Sequence, residues 1–412
     1  MDRSTGREMN TKFIEELRRT CESTNINFLL GAGCSFPAFG TLGNSESLWE
    51  QLKQDGVDPS IAAATGADAA DIERLVEAHL KAEFFTGAIL PNKTYGGNRA
   101  PKTKQTKTNY QSFCVAAMKL VAKREASTLP KQVTFFVTNY DICMDIALDQ
   151  ARIPTNSGYT GRFNPVVDLS DFGRRVTAST LALGYQSEIP SANLVKIHGC
   201  ASWRKMEGRI EFSNKFDLIE EIEGKIENLR RSTQQANPTQ APNHQSGLLS
   251  SSNVFNDLVN EAARQLKNIN SDSVKDLLDS FNALQIVWPT KEKFQDTVLD
   301  EVYYAQLRRL TNQLEVRNSI LIVAGFSFAD EHIRKLILRA ADTNPTLKVI
   351  ILCFNKEAQK NIRDNLEKEV GSKLENLPNK NIVTVTGSKR KDKSEENLDL
   401  KTIAALLKKV TK

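Results

Sequence analysis

The 412-residue chain is predicted to be an α/β protein built on a doubly wound parallel sheet with helical insertions. Three observations predict this. Short apolar runs recur at 27–30, 133–137, 194–197, 285–288, 320–324 and 349–354, each with the length of a buried strand. Several are followed by segments of helical period, such as 141–151 and 331–341, and strands alternating with helices build parallel sheets. The first run, Asn27-Phe28-Leu29-Leu30, stops at Gly31-Ala32-Gly33-Cys34-Ser35, so a strand feeds directly into a glycine turn.

The elements follow in order. Residues 11–22 have the apolar spacing of an opening helix, and 1–54 form the first part of the core. Residues 55–125 read as an insertion, Ala-rich and helical at first. Its stretch 91–110 reads as a loop carrying Lys93, Arg99, Lys102, Lys104 and Lys107 with no acid, the clearest basic patch and a candidate for weak nucleic-acid contact. The core continues over 126–204. A second helical insertion, 205–283, contains the stretch 232–253, in which 17 of 22 residues are Ser, Thr, Asn, Gln, Pro or Gly. So polar a stretch buries too little to offset its ordering entropy and is expected to be flexible. The core closes over 284–390, and within 391–412 the spacing of Leu398 to Val410 suits a final packed helix.

Composition sets the broad class. Hydrophobic residues are 40% and charged residues 25%, the balance of an ordinary globular protein. The N-terminal MDRSTGREMNTKFIEEL holds no apolar signal stretch and no later window nears the roughly 20 apolar residues of a membrane span, so a cytoplasmic location is expected. The cysteines at 21, 34, 114, 143, 200 and 353 form no CxxC pair, which argues for reduced thiols and against a zinc ribbon. A net charge of +5 does not by itself imply nucleic-acid binding.

Five segments at predicted strand ends carry polar or flexible groups, where doubly wound sheets place their ligand crevice. Gly31 and Gly33 let the backbone turn and approach a pyrophosphate, met by N–H groups of the following turn, although a tight turn alone needs the same glycines. In Thr138-Asn139-Tyr140-Asp141 the Asn139 amide offers a donor and an acceptor, while Asp141 reads equally as a cap for the next helix. Of the four histidines only His198 follows a buried strand directly, with Gly199 after it; a lone histidine is more often structural, yet this imidazole is placed for proton transfer. Gly325-Phe326-Ser327 and Asn355-Lys356-Glu357 follow two later strands. Asp330 reads as a helix cap.

Taken in order, GAGCS, TNYD, HG, GFS and CFNKE resemble the sirtuin family, whose pattern runs GAG-x-S, QN-x-D, HG, G-T-S and I-N-K-E. The resemblance covers 26–54, 130–204 and 284–390. It implies a Rossmann-like core that binds NAD. Gly31, Ala32, Gly33 and Ser35 would meet the pyrophosphate; Asn139 and Asp141, with Tyr140 between them, would hold the nicotinamide ribose and carboxamide. His198 would be the catalytic histidine, and Gly325, Ser327 and Asn355 would meet the adenosine side. Two departures stand out. Phe36-Pro37-Ala38-Phe39-Gly40-Thr41-Leu42-Gly43 replaces the family's G-I-P-D-F-R, and the four zinc cysteines are missing, so no zinc is expected and protein deacylation is disfavoured.

The segment Lys291 to Ile333, with Tyr303, Tyr304 and GFSFADEHI, resembles the divergent bacterial sirtuin-like proteins of anti-phage defence. That resemblance implies an NAD hydrolase releasing nicotinamide and ADP-ribose, with NAD as substrate, acting as a homo-oligomer beside a HerA-type ATPase. A nucleotide sensor without turnover would use the same motifs.

Overall fold

The computed structural model describes residues 6–40, 45–95, 101–122, 124, 129–161, 163–179, 186–235, 248–249, 254–288, 301–388 and 396–412. Arg99, Lys291 and most of the polar stretch 232–253 lie outside them. The chain divides into two compact units, one of 1–36, 99–198 and 297–412, the other of 37–98 and 199–296.

The first unit is the parallel sheet and its helices. In chain order it contains β1 (Gly6–Glu8), α1 (Thr11–Ser23), β2 (Asn25–Leu30), α2 (Pro101–Ala122), β3 (Gln132–Val137), α3 (Cys143–Gln150), β4 (Thr155–Asn156) and β5 (Ser191–Lys196). Then come α4 (Glu301–Glu315), β6 (Ser319–Ala324), α5 (Glu331–Thr343), β7 (Lys348–Leu352), α6 (Lys356–Val370), β8 (Ile382–Thr386) and α7 (Leu400–Val410). The strand order is β1-β8-β7-β6-β2-β3-β5-β4, and every neighbouring pair is parallel. The expected doubly wound α/β core is therefore present.

The central strands are buried on both faces, which is why they read as unbroken apolar runs rather than alternations. Phe28 of β2 meets Phe113 of α2 edge-on at 5.2 Å and stacks on Phe135 of β3 at 5.4 Å. Burial of each such ring contributes roughly 1.5–3 kcal/mol. Helix α1 starts where Asn10 accepts a hydrogen bond from Phe13 N–H and buries Phe13, Leu17 and Cys21 at a four-residue spacing. Helix α7 is capped in the same way by Asp399 and packs on α2.

The sheet winds outward in two directions. From β2 the chain moves to β3 and β5; after α4 it returns to β2's other side as β6 and proceeds to β7 and β8. The direction of winding reverses between β2 and β6, the place where open α/β sheets open a crevice beyond their carboxyl ends.

Two local expectations fail. The stretch 91–110, expected as a loop, is helical at Asn92–Tyr95 and from Pro101 onward. Lys102 and Lys104 are on the solvent side of α2, while Thr106, Lys107, Tyr110 and Phe113 are buried. The apolar run 285–288 does not enter the parallel sheet; Leu284–Ile286 pairs antiparallel with Gly199–Met206 in the second unit. An apolar run reports burial, and the partner strand is a matter of topology.

The second unit is mainly helical, with helices Ser45–Asp55, Pro59–Thr65, Ala69–Phe84, Asp217–Gln235, Phe255–Gln265 and Ser271–Ala283. Trp288 gathers Trp49, Phe84 and Phe281 at 5.6–5.9 Å, and the Lys81 ammonium lies over its ring. His79, fully buried, accepts the N–H groups of Leu248 and Leu249 at Nδ1, both at 3.0 Å. Among the described residues no helix is long and apolar enough to cross a membrane.

Candidate active site

All the residues singled out at strand ends lie in the first unit, on one edge of the sheet. Gly31 to Ser35 follow β2, Asn139 to Asp141 follow β3, His198 follows β5, Gly325 and Ser327 follow β6, and Asn355 follows β7. Because these five strands are parallel neighbours, their carboxyl ends share that edge.

The glycine turn is set by the strand beside it. A Cβ on Gly31 would stand 2.5 Å from the Gly325 carbonyl oxygen, and one on Gly325, whose φ is +63°, would stand 2.5 Å from Cys34 N. The two loops therefore touch backbone to backbone at the switch between β2 and β6. The turn's N–H groups are also engaged: Gly31 donates to Ala324 O, Gly33 to Gly325 O, Cys34 to Gly31 O and Ser35 to Ala32 O. The expectation that this turn offers its N–H groups to a pyrophosphate is thus corrected at these four positions. Packing against Gly325 already requires a glycine at 31.

Ser35 is the centre of a buried network. Its Oγ donates to Asp141 Oδ2 at 2.6 Å, accepts from Asn139 Nδ2 at 3.0 Å and lies 2.7 Å from the Tyr110 hydroxyl. Burial and the Asp141 charge push the Tyr110 hydroxyl well above the usual phenol range, so it keeps its proton. The single Ser35 proton goes to the carboxylate, hence Tyr110 is the donor to Ser35 and all three hydrogen-bonding positions of Oγ are filled. Asp141 takes a second bond at Oδ1 from Cys143 N, at 3.0 Å, which holds the start of α3.

Asn139 is consequently fixed. Its Nδ2 donates to Gly31 O at 3.1 Å as well as to Ser35, while its Oδ1, on a side chain only 6% exposed, has no hydrogen-bond partner. A buried acceptor left open costs about 1–3 kcal/mol until a water or a ligand completes it, and Asn27 Oδ1 and Asn381 Oδ1 are open in the same way.

Beneath the loop lies a buried cation. The Lys196 ammonium, at the end of β5, donates to Asp141 O at 2.6 Å and pairs with Asp145 at 2.7 Å. Two residues on, His198 Nε2 lies 3.3 Å from Asp330 Oδ2, an ion-pair distance, and the Tyr140 ring stacks beside it at a centroid distance of 6.3 Å. Asp330 does cap α5, as expected, through Oδ1 to Ile333 N–H. Asn355 caps α6 through Oδ1 to Ala358 N–H, and Ser327 is an exposed residue whose Oγ accepts from Ala329 N–H.

No family model matches the chain, and no curated protein matches it.

Chemically, the edge offers an open amide acceptor and an imidazole beside a carboxylate. Burial, reinforced by Asp141, pushes the Cys34 thiol up to about 12, so it stays protonated at neutral pH and is a poor nucleophile. Among the described residues no group of three or more His, Cys, Asp or Glu side chains could hold a metal ion. The basic patch is reduced: Lys93 pairs with Glu220 and Glu223, and Lys107 is buried, leaving Lys102 and Lys104 exposed.

Sequence reasoning missed Tyr110, Lys196, Asp145 and the carboxylate facing His198. Tyr110 was legible as the residue one turn before Phe113 on an amphipathic helix. A lysine ending the apolar run Leu194-Val195 was a signal too, since such a charge is buried only when paired.

Proposed function

We propose that this chain cleaves the glycosidic bond of NAD with water, releasing nicotinamide and ADP-ribose. The observation that carries the reading is the open Oδ1 of Asn139, a fixed and buried acceptor at the carboxyl edge of the sheet. A ribose hydroxyl or the attacking water supplies the missing donor. The ribose C1′–N bond breaks with its electrons passing to the pyridinium nitrogen; the water oxygen bonds to C1′ and its proton is lost. Because the leaving group is cationic before departure and neutral after it, no general acid is required, and the protein's work is positioning and charge stabilisation.

Asn139 orients the hydroxyl or water, and His198 takes a proton relayed through a ribose hydroxyl. Asp141 acts indirectly, since both its oxygens accept hydrogen bonds from Ser35 and Cys143 and so hold the loop that aims Asn139. The glycine turn contributes shape, a flat backbone surface against Gly325, more than hydrogen bonds.

The test is chromatographic. Purified protein, alone and with a HerA-type ATPase, is incubated with NAD while nicotinamide and ADP-ribose are quantified. Asn139→Ala and His198→Ala are expected to lower the rate at least about 100-fold while the chain remains folded, in line with the loss of a positioned catalytic group. A wild-type rate in either variant removes the assignment, and NAD binding without release of nicotinamide by wild-type protein makes the chain a sensor.

A further inference from the structure

The carboxylate of Asp330 has two tasks, and the second reaches into the proposed reaction. One oxygen, Oδ1, accepts from Ile333 N–H at 3.1 Å and starts α5. The other stands 3.3 Å from His198 Nε2, on side chains that are 8% and 11% exposed respectively. The segment that carries it is pinned: Arg334 Nη1 donates to Phe328 O at 2.7 Å and to Ala329 O at 3.1 Å, and Phe328 is held fully buried with φ at +59°. Tyr140 lines the imidazole's face at an interplanar angle of 27°. The carboxylate is thus prevented from swinging away, and the ring has a fixed plane.

A neutral imidazole carries its proton on one nitrogen and a lone pair on the other. Beside a carboxylate oxygen 3.3 Å away, an N–H is electrostatically favoured over a lone pair. We infer that Asp330 is the positioning residue of His198: it fixes the proton on Nε2 and leaves Nδ1 as the nitrogen that accepts a proton during NAD cleavage. This rests on the proposed reaction only in its last clause. The tautomer assignment stands on the geometry alone. It also assigns a use to the acidic residue of the GFSFADEHI segment beyond capping, because capping occupies one oxygen and leaves the other aimed across β5.

The two tasks separate by substitution. Asn and Ser are both good helix caps. In Asp330→Asn the Oδ1 keeps the cap and an NH2 group replaces the oxygen facing Nε2, so the imidazole must offer a lone pair there and move its proton to Nδ1. In Asp330→Ser the cap remains and the partner is lost. The experiment is a 15N spectrum of protein labelled at histidine, with His198→Gln to assign the resonance, together with steady-state kinetics on NAD.

Wild type is expected to show Nε2–H and an unprotonated Nδ1, and Asp330→Asn the reverse, with melting temperatures unchanged. In the kinetics, kcat is expected to fall about 100-fold or more in both variants, the usual worth of a positioned general base, while KM stays within a few-fold. A wild-type Nδ1–H tautomer, or the same tautomer in wild type and Asp330→Asn, overturns the proposal whatever the kinetics show. The expected spectra with no NAD turnover by any form keep the tautomer assignment and reject the hydrolase reading. The expected spectra with undiminished kcat in Asp330→Asn overturn the catalytic clause.

Discussion

Ser35 Oγ lies 2.6 Å from Asp141 Oδ2, and this bond joins the loop after β2 to the loop after β3. Three buried side chains depend on one hydroxyl. Ser35→Ala leaves the Tyr110 hydroxyl and one Asp141 oxygen without their partner, and Asn139 keeps only Gly31 O. A loss of about 3 kcal/mol is expected, at about 1–3 kcal/mol for each stranded buried group. Urea unfolding measures it, and a loss below about 1 kcal/mol would show that water replaces the hydroxyl.

Lys196 is a buried ammonium held by Asp145 and the Asp141 carbonyl. Lys196→Met strands a carboxylate and is expected to cost about 3–5 kcal/mol, whereas Lys196→Met with Asp145→Leu, which removes both charges, recovers most of that. A double-mutant cycle in urea reads the coupling. With Asp145→Leu alone as the fourth corner of the cycle, a double-variant loss equal to the sum of the two single losses would mean the pair does not interact.

Gly325 cannot carry a side chain. Its φ of +63° and the 2.5 Å approach of Cys34 N act together, so Gly325→Ala is expected to lose at least about 3 kcal/mol. Gly371 is the control: its φ is +69° but nothing lies within 4 Å, so Gly371→Ala meets only the left-handed strain of about 1 kcal/mol. Similar unfolding midpoints for the two variants would contradict the backbone contact.

His79 gives a pH dependence of known sign. Burial lowers its pKa in the folded protein, with Arg230 acting in the same direction and Glu83 and Glu261 opposing. In the unfolded chain the imidazole titrates near 6.5, so below that pH the unfolded state binds the extra proton and stability falls as pH falls. His79→Asn keeps an acceptor for the Leu248 and Leu249 N–H groups and removes the titration. Between pH 7.5 and 5.5 wild type is expected to lose more stability than the variant; parallel losses would assign the effect to other groups.

The sequence disclosed the strands that are buried on both faces, because a strand such as Ser319–Ala324 can be nothing but apolar. It was less informative about β8, where buried Thr384 and Thr386 break the run, and about α2, whose lysines and threonines look like a loop until Tyr110 and Phe113 are placed on one face. Asn139 and His198 were recognisable by standing just past apolar runs. The facing of His198 and Asp330 was not, because it depends on the spatial order of strands and on a helix more than a hundred residues away, which no local pattern encodes. Ser35 was recognised as important but for a phosphate; its partners on α2 and after β3 required the fold.

Helix α2 supplies Tyr110 to the Ser35 network, and the same helix is the surface on which α7 packs, while Arg18 of α1 grips the far end of α7 through the carbonyls of Lys409 and Val410. Helix α7 is therefore a buttress for the helix that carries Tyr110. Substitutions that loosen the 400–410 helix alter the support of the site without touching any group in it, so catalytic comparisons between variants need that helix left intact.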